Sequence, residues 1–157
     1  MSHDGHRHFH DDLSQVKVRL LTMSGEAEAA VHRAVEALLE RDADKARLVI
    51  EGDAVIDGME VEIEEQCLSL LALQQPMARD LRLLVAAIKI ANDLERVGDH
   101  AVNIAQSAER LAAGPPIAPE PEIVEMARVA REMLADSLEA FVRGDAATGR
   151  AVCLRDD

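Results

Sequence analysis

Residues 91–103, Ala-Asn-Asp-Leu-Glu-Arg-Val-Gly-Asp-His-Ala-Val-Asn, have helical periodicity and place acids on the apolar side of the predicted helix. At about 100° per residue, Glu95 projects within about 20° of Leu84 and Val102. Asp99 follows one turn later, at the edge of the same face. A carboxylate on a core-facing stripe must be paired, protonated or bound to a cation, because burying a bare charge is too costly.

The stretch belongs to one of three long helices. Pro76 separates a helix predicted over roughly 44–74 from one predicted over about 77–113. A first helix is predicted over 13–41, and Asp44 is a plausible N-cap of the second. The apolar stripe of the first helix comprises Leu13, Val16, Leu20, Met23, Ala27, Ala30, Ala34, Val35 and Leu38. Long helices joined by short connections predict an antiparallel three-helix bundle.

Composition supports an all-α fold. Apolar residues make up 48% of the 157 residues, but aromatic residues only 1%, so the core must be built from Ala, Leu, Val, Ile and Met. The net charge of −13 argues against binding to nucleic acid or to anionic lipid. With no apolar run near the roughly 18 residues that span a bilayer and no signal layout, we expect a cytoplasmic protein without membrane insertion. Cys67 and Cys153 are predicted to be reduced core residues.

The chain divides into four predicted regions. Residues 1–11 form a flexible N-terminus, 12–113 the three-helix bundle, 114–121 a Pro-rich linker and 122–157 the start of a second repeat. In the second repeat we predict a fourth helix over about 122–143, a turn, and a last segment from 146. The flexible tail holds His3, His6, His8 and His10. Such a tail can bind a divalent metal, but this is usually adventitious.

An internal repeat connects the two helical regions. Residues 35–43 resemble 138–146, and in the same register Arg47 matches Arg150 and Asp53 matches Asp156, at a constant offset of 103. The second copy ends one residue after Asp156. We therefore expect either a truncated form or a second half supplied by another chain. The apolar stripe of the fourth helix would then favour self-association.

The second helix carries a row of acids. Asp53, Asp57, Glu60 and Glu64 are spaced four, three and four residues apart, which stacks them on one face and interrupts an apolar seam. That seam is predicted to continue through Cys67, Leu68 and Leu71. Like charges at this spacing repel each other, and a multivalent cation would relieve the repulsion.

The third helix adds Glu95, Asp99 and Asn103, so acids of two antiparallel neighbours can meet inside the bundle. Oxygen ligands suit Mg, Ca, Mn or Fe better than thiophilic ions. The alternative is a solvated acidic groove, or salt bridges to the arginines Arg79, Arg82 and Arg96.

Three function classes remain open from the residues alone. No Gly-rich phosphate loop, Gly-x-Ser-x-Gly elbow, His-Glu-x-x-His or Glu-x-x-His motif is present. A carboxylate-metal-dependent hydrolase or oxidase therefore ranks low, because no general base exists beyond the ligands themselves. A metal-binding helical protein without catalysis and a plain helical dimerisation scaffold are the other two.

Several segments in combination resemble the phosphate-uptake regulator family, PhoU. They are Ile50-Glu51-Gly52-Asp53 with Asp57 and Glu60, Gln75-Pro76 leading to Asp80-Leu81-Arg82, and Asp93-Leu94-Glu95-Arg96-Val97-Gly98-Asp99. The resemblance covers nearly the whole chain.

The resemblance implies tandem three-helix bundles with metal clusters bound by acid-x-x-x-acid motifs, in a cytoplasmic regulator without catalytic turnover. It implies metal ligands at Asp53, Asp57, Glu95 and Asp99, with Glu60, Glu64 and Asn103 as outer candidates. Iron is the metal that the family suggests, with zinc, manganese or magnesium as alternatives. The implied partners are the ATPase subunit of a phosphate ABC importer and a sensor histidine kinase, with repression of the phosphate-starvation response. We also expect a homodimer that reaches the inner face of the membrane only through protein partners.

Overall fold

The computed structural model describes residues 3–74, 76–116, 118 and 120–156, with side chains from Phe9 onward. Helices account for nearly all of this described part, and no strand occurs in it. The helices are α1 (His3–Glu40), α2 (Ala43–Gln74), α3 (Ala78–Ala112), α4 (Pro121–Arg143) and α5 (Ala146–Cys153). The predicted all-α class is confirmed.

α1, α2 and α3 pack against one another as a three-helix bundle, and α4 lies against α1. The stripe predicted for α1 forms its buried face, with Leu20 and Met23 fully enclosed and only Leu38 partly exposed. Aliphatic side chains and alanines make up most of the bundle interior, as the composition predicts. Small residues allow close approach of the helices, because alanine and glycine leave little side-chain volume between the backbones.

The buried lines of α2 and α3 follow a seven-residue repeat. In α2 the repeat runs through Val49, Ile56, Ile63 and Leu70. In α3 it comprises Leu84, Ala91, Gly98 and Ala105, with a second line of Ala87, Leu94, Ala101 and Ala108. A seven-residue repeat corresponds to 3.5 residues per turn, whereas the positions of the acids were predicted with the 3.6 residues per turn of an ideal helix. The two patterns therefore diverge along the helix. Consequently Glu95 is half-buried beside the seam, and Leu68, predicted within the seam of α2, is 51% exposed.

The start of α1 differs from the prediction. The helix begins at His3, whereas residues 1–11 were predicted to be flexible and the helix to begin near Leu13. Phe9, one of the two phenylalanines, is buried in the core and gives the extended helix an apolar anchor. The side chains of His3, His6 and His8 and the residue Gln75 lie outside the described part.

The turns that end α1 and α4 have the same construction, 103 residues apart. Arg41 and Gly144 both adopt positive φ, at 56° and 70°. The residue after each donates its backbone N–H to a carbonyl five positions earlier, at 2.9 Å in the first turn and 2.8 Å in the second. The internal repeat found in the sequence therefore has a structural counterpart.

Aspartate caps follow both turns. The side chain of Asp42 accepts from the backbone N–H groups two and three positions later, at 2.9 and 3.0 Å. Asp145 does the same at 2.9 and 3.2 Å. The prediction of Asp44 as the N-cap of α2 was wrong by two positions, because the Asp42 carboxylate already satisfies the free amides.

The linker is held by Arg41. Its guanidinium donates to the carbonyl oxygens of Leu111, Gly114 and Pro115, with the last two at 2.6 and 2.8 Å. These acceptors lie at the end of α3 and just beyond it, where carbonyl groups lack helical partners. One side chain thus connects the end of α1 to the end of α3.

The second region packs on the first. Leu134, Leu138 and Phe141 of α4 contact the bundle core, and α5 contacts α4. Cys67 is buried as predicted, but Cys153 on α5 is exposed, so its placement in a core was wrong. Within the described residues, no helix combines the length and the apolar content that crossing a bilayer requires.

Candidate functional site

α2 and α3 approach closely at Gly98. A Cβ atom on this glycine would lie 3.1 Å from Cδ1 of Ile56 and 3.0 Å from Oδ1 of Asp53. Ile56 is buried, so it has little room to withdraw. Glycine therefore permits a contact that a larger residue would obstruct, and this contact places Asp53 directly against α3.

Five acids from the two helices form an electrostatically coupled cluster. They are Asp53, Asp57 and Glu60 of α2 and Glu95 and Asp99 of α3. We call them the carboxylate cluster. Asp57 and Asp99 are exposed, and the other three are half-buried. The structure thus joins the two acidic rows that the sequence placed on separate helices.

The pKa values of two members are raised. For Asp53 the pKa increases mainly through loss of hydration, with further contributions from the charges of Asp57 and Asp99. The pKa of Glu95 increases for the same first reason, followed by repulsion from the other four members of the cluster. Both shifts show that the protein environment disfavours the ionised form.

No basic side chain in the described part of the chain forms an ion pair with the cluster. Arg96, the nearest arginine in sequence to Glu95, points instead to Asp93 at 3.7 Å and is 65% exposed. Arg79 and Arg82 line a different groove, beside the turn between α4 and α5. The alternative of salt bridges to these three arginines was therefore wrong, while a solvated acidic groove remains compatible with the geometry.

The cluster extends into a groove of about 480 Å³ between α2 and α3. Glu60 and Glu64 line one side of this groove, and Lys89 and Asn92 lie among the residues that α3 contributes. Asn92 donates its amide to Oε1 of Glu60 at 3.2 Å. Asn92 was not among the predicted site residues, although its position three residues before Glu95 places it on a neighbouring part of the same helix.

Asn103 lies apart from this arrangement. It is exposed, and its backbone carbonyl accepts from the Ser107 hydroxyl at 2.9 Å. This contact does not involve a carboxylate of the cluster. Its role as an outer ligand stays a prediction.

The donor chemistry fits a hard cation, since carboxylate and amide oxygens are available and the local charge is strongly negative. In the conformations adopted by the described side chains, however, no three Asp, Glu, His or Cys groups converge on one point that could hold a metal ion. Cation binding would require rotation of the acidic side chains. The exposure of Asp57 and Asp99 leaves them free to do so.

Comparisons with known proteins identify relatives along almost the entire chain. The PhoU domain model matches residues 20–108. A phosphate-specific transport system accessory protein PhoU homolog of Aquifex aeolicus is 39% identical over 146 residues, covering 93% of this chain and 66% of the relative. A protein of the same description from Pseudomonas putida is 38% identical over 157 residues, covering 99% of this chain and 61% of the relative. The chain thus spans about two thirds of the length of these relatives.

Two crystal structures share the fold. PhoU from Pseudomonas aeruginosa superposes with a TM-score of 0.88 at 37% identity, over 94% of this chain and 71% of that one. The phosphate transport system regulatory protein PhoU from Streptococcus pneumoniae gives a TM-score of 0.87 at 30% identity, over 94% and 70%.

Proposed function

The chain belongs to the PhoU family, and on that premise we propose that it is an accessory protein of phosphate transport that acts as a metal-binding adaptor. It couples the ATPase subunit of a phosphate ABC importer to a sensor histidine kinase and represses the phosphate-starvation response. It has no catalytic turnover of its own. The names of the relatives as accessory and regulatory proteins support this role.

The observation that carries the proposal is the carboxylate cluster, which forms no ion pair with any basic side chain that the structure describes. Asp53 and Glu95 are held where ionisation is disfavoured, at a point where a glycine is needed for helix packing. Structural acids are normally solvated or paired, and half-buried like charges reduce stability. A bound cation would supply the missing positive charge.

The residues that would hold the cation are Asp53, Asp57, Glu95 and Asp99, with Glu60 beside them. Glu64 and Asn103 are outer candidates. Iron is the metal that the family resemblance favours, with zinc, manganese and magnesium as alternatives. The all-oxygen donor set is compatible with iron, manganese and magnesium more readily than with zinc.

We also place the protein in the cytoplasm as a homodimer that meets the inner face of the membrane through its partners. Exposed apolar side chains on α4 support self-association, since Val124 and Met126 are 47% and 69% exposed. Sedimentation at several concentrations measures this directly. A monomer at all concentrations would contradict the dimer.

The deciding experiment measures metal content and partner binding together. Protein purified without chelators or nickel resin is analysed by mass spectrometry beside the double variant Asp53→Asn/Asp99→Asn. The control is Glu51→Gln/Glu65→Gln, which removes the same charge from exposed positions of α2. We expect stoichiometric metal in the wild type and the control and none in the cluster variant.

Co-purification with the ATPase subunit and the kinase is tested on the same three proteins. Loss of binding in the cluster variant alone supports a metal-dependent adaptor. Intact partner binding without metal in any form would show that the protein is a helical scaffold with solvated acids. Turnover of a phosphate ester that disappears in Glu95→Gln would instead favour a carboxylate-metal hydrolase.

A further inference from the structure

A second charged surface of the protein has the opposite charge to the carboxylate cluster. A groove of about 600 Å³ between α1, the beginning of α3 and the turn joining α4 to α5 is lined by four basic residues. They are Lys17, Arg79, Arg82 and Arg143. We call this the basic groove. In a chain of net charge −13 it is a local concentration of positive charge, which attracts anions.

Two of these cations form no ion pair with any residue that the structure describes. Within the described part of the chain, neither Arg79 nor Arg82 forms an ion pair or a side-chain hydrogen bond, and both are exposed. Elsewhere on the surface, Arg128 pairs with two carboxylates of its own helix. Arg143 pairs with Glu139 at 2.8 Å. The groove therefore holds two guanidinium groups whose hydrogen-bonding capacity is free for a ligand.

The position of these arginines on α3 is unfavourable without an anion. They are three residues apart in the first turns of the helix, so their like charges face the same side. They also lie at the positive end of the helix dipole, where cations reduce stability. The N-cap is Met77, whose side chain has no oxygen to accept from the free N–H groups. Asp80 in the same turn forms no ion pair with either arginine.

The remaining lining gives the groove an apolar wall. Leu83, Ala86, Ala140 and Phe141 contribute to it. The groove is open to solvent, so it offers a ligand an apolar wall on one side and charged groups beside it. Asp145 also lines the groove, but its carboxylate already accepts two backbone N–H groups and the Thr148 hydroxyl at 2.7 Å.

We propose that the basic groove is a binding site for the phosphoryl group of a small molecule, held by Arg79 and Arg82 with Lys17 at its side. Guanidinium groups bind phosphoryl oxygens through paired hydrogen bonds, and the start of α3 adds a favourable dipole. The phosphoryl group comes either from free phosphate or from a phosphorylated organic ligand whose body contacts the wall around Phe141. This site is separate from the carboxylate cluster and does not depend on the adaptor role proposed above.

Isothermal titration calorimetry with the full chain tests the site, using inorganic phosphate, ATP and adenosine as probes and a poly-glutamate peptide as competitor. EDTA is present throughout, so that no metal at the carboxylate cluster can bridge to a phosphoryl group. Arg79→Ala/Arg82→Ala is compared with the control Arg19→Ala/Arg47→Ala, which removes the same charge from exposed positions on α1 and α2. Circular dichroism verifies the folding of each variant.

We expect ATP, phosphate or both to bind the wild type and the control, and at least about tenfold weaker binding to Arg79→Ala/Arg82→Ala. Affinity should also fall as the salt concentration rises. Binding of both probes identifies free phosphate as sufficient, whereas binding of ATP alone identifies an organic phosphate.

Four results would overturn the proposal. They are no binding of either phosphorylated probe, equal binding of ATP and adenosine, unchanged binding by a folded Arg79→Ala/Arg82→Ala variant, and binding of the acidic peptide alone. The last result would identify the groove as a protein-docking surface.

Discussion

Gly98 on α3 and Asp53 on α2 are in such close contact that a Cβ atom on the glycine would lie 3.0 Å from the carboxylate oxygen. The packing of the bundle and the position of a candidate ligand therefore depend on the same missing side chain. A substitution at Gly98 tests both.

We expect Gly98→Ala to lower the free energy of unfolding by about 1–2 kcal/mol, because the added methyl group crowds the buried Ile56. This is the net change, since overpacking costs up to about 3 kcal/mol and alanine normally returns about 1 kcal/mol in a helix interior. Urea denaturation measures the difference. The matched control is Gly58→Ala on α2, where nothing lies within 4 Å of the new Cβ. The control should be stabilised, and equal stabilisation of both variants would contradict the close contact.

The raised pKa of Asp53 predicts a pH-dependent benefit of Asp53→Asn. An acid with a raised pKa in the folded state binds protons more readily there than in the unfolded chain. Its stabilising contribution is therefore present below the ordinary value of 3.8 and is lost as the pH rises through the folded-state pKa. Without metal, Asp53→Asn should exceed the wild type in stability near pH 7, and this advantage should vanish near about pH 4.

Thermal unfolding in EDTA across this pH range measures the effect. Glu95→Gln should follow the same trend, because the pKa of Glu95 is raised by the same causes. Asp57→Asn removes a neighbouring charge and should bring the pKa of Asp53 closer to its ordinary value. If the stability advantage of Asp53→Asn over the wild type increased as the pH fell, the carboxylates of the cluster would not repel one another.

The repeated aspartate caps predict unequal effects of the same substitution. Asp42→Ala should destabilise the protein by about 0.5–2 kcal/mol, because it leaves two backbone N–H groups at the start of α2 without their acceptor. Asp145→Ala should mainly loosen the eight-residue α5 and leave global unfolding almost unchanged. Hydrogen exchange separates the two effects. Equal global destabilisation would mean that α5 is an integral part of the cooperative unit.

The two cysteines should differ sharply in reactivity. Burial raises the pKa of the Cys67 thiol to about 11, whereas Cys153 is exposed. Alkylation near about pH 8 should label only Cys153 in the folded chain, since Cys67 is then almost entirely protonated as well as inaccessible. Mass spectrometry after denaturation should find the second label. The variant Cys153→Ser should take up none while folded.

The sequence predicted the helices well where a single apolar stripe decides the packing. The stripe of α1 from Leu13 to Val35 is buried as expected, because this face of α1 packs into the core of the bundle. The rows of acids were also correctly assigned to two facing helices. Their meeting depends on Gly98, whose close contact with Asp53 and Ile56 becomes visible only in the structure.

The errors have physical causes that a single sequence conceals. The buried residues of α2 repeat every 3.5 residues per turn and not every 3.6, so Leu68 lies at the surface and not in the expected seam. Asp42 and Asp44 are both good cap residues, and the choice between them depends on backbone geometry after Arg41. Arg79 and Arg82 line a groove together with residues of α4, and this proximity of distant segments is not visible in the sequence.

Arg41 also has a consequence for the order of folding. Its guanidinium contacts carbonyl groups 70 to 74 residues further along the chain. We expect such a contact to form only after α2 and α3 have closed the bundle, because the intervening chain must first lose its conformational freedom. The direction in which the chain leaves the bundle would then be fixed late, with α4 docking on a surface that is already assembled.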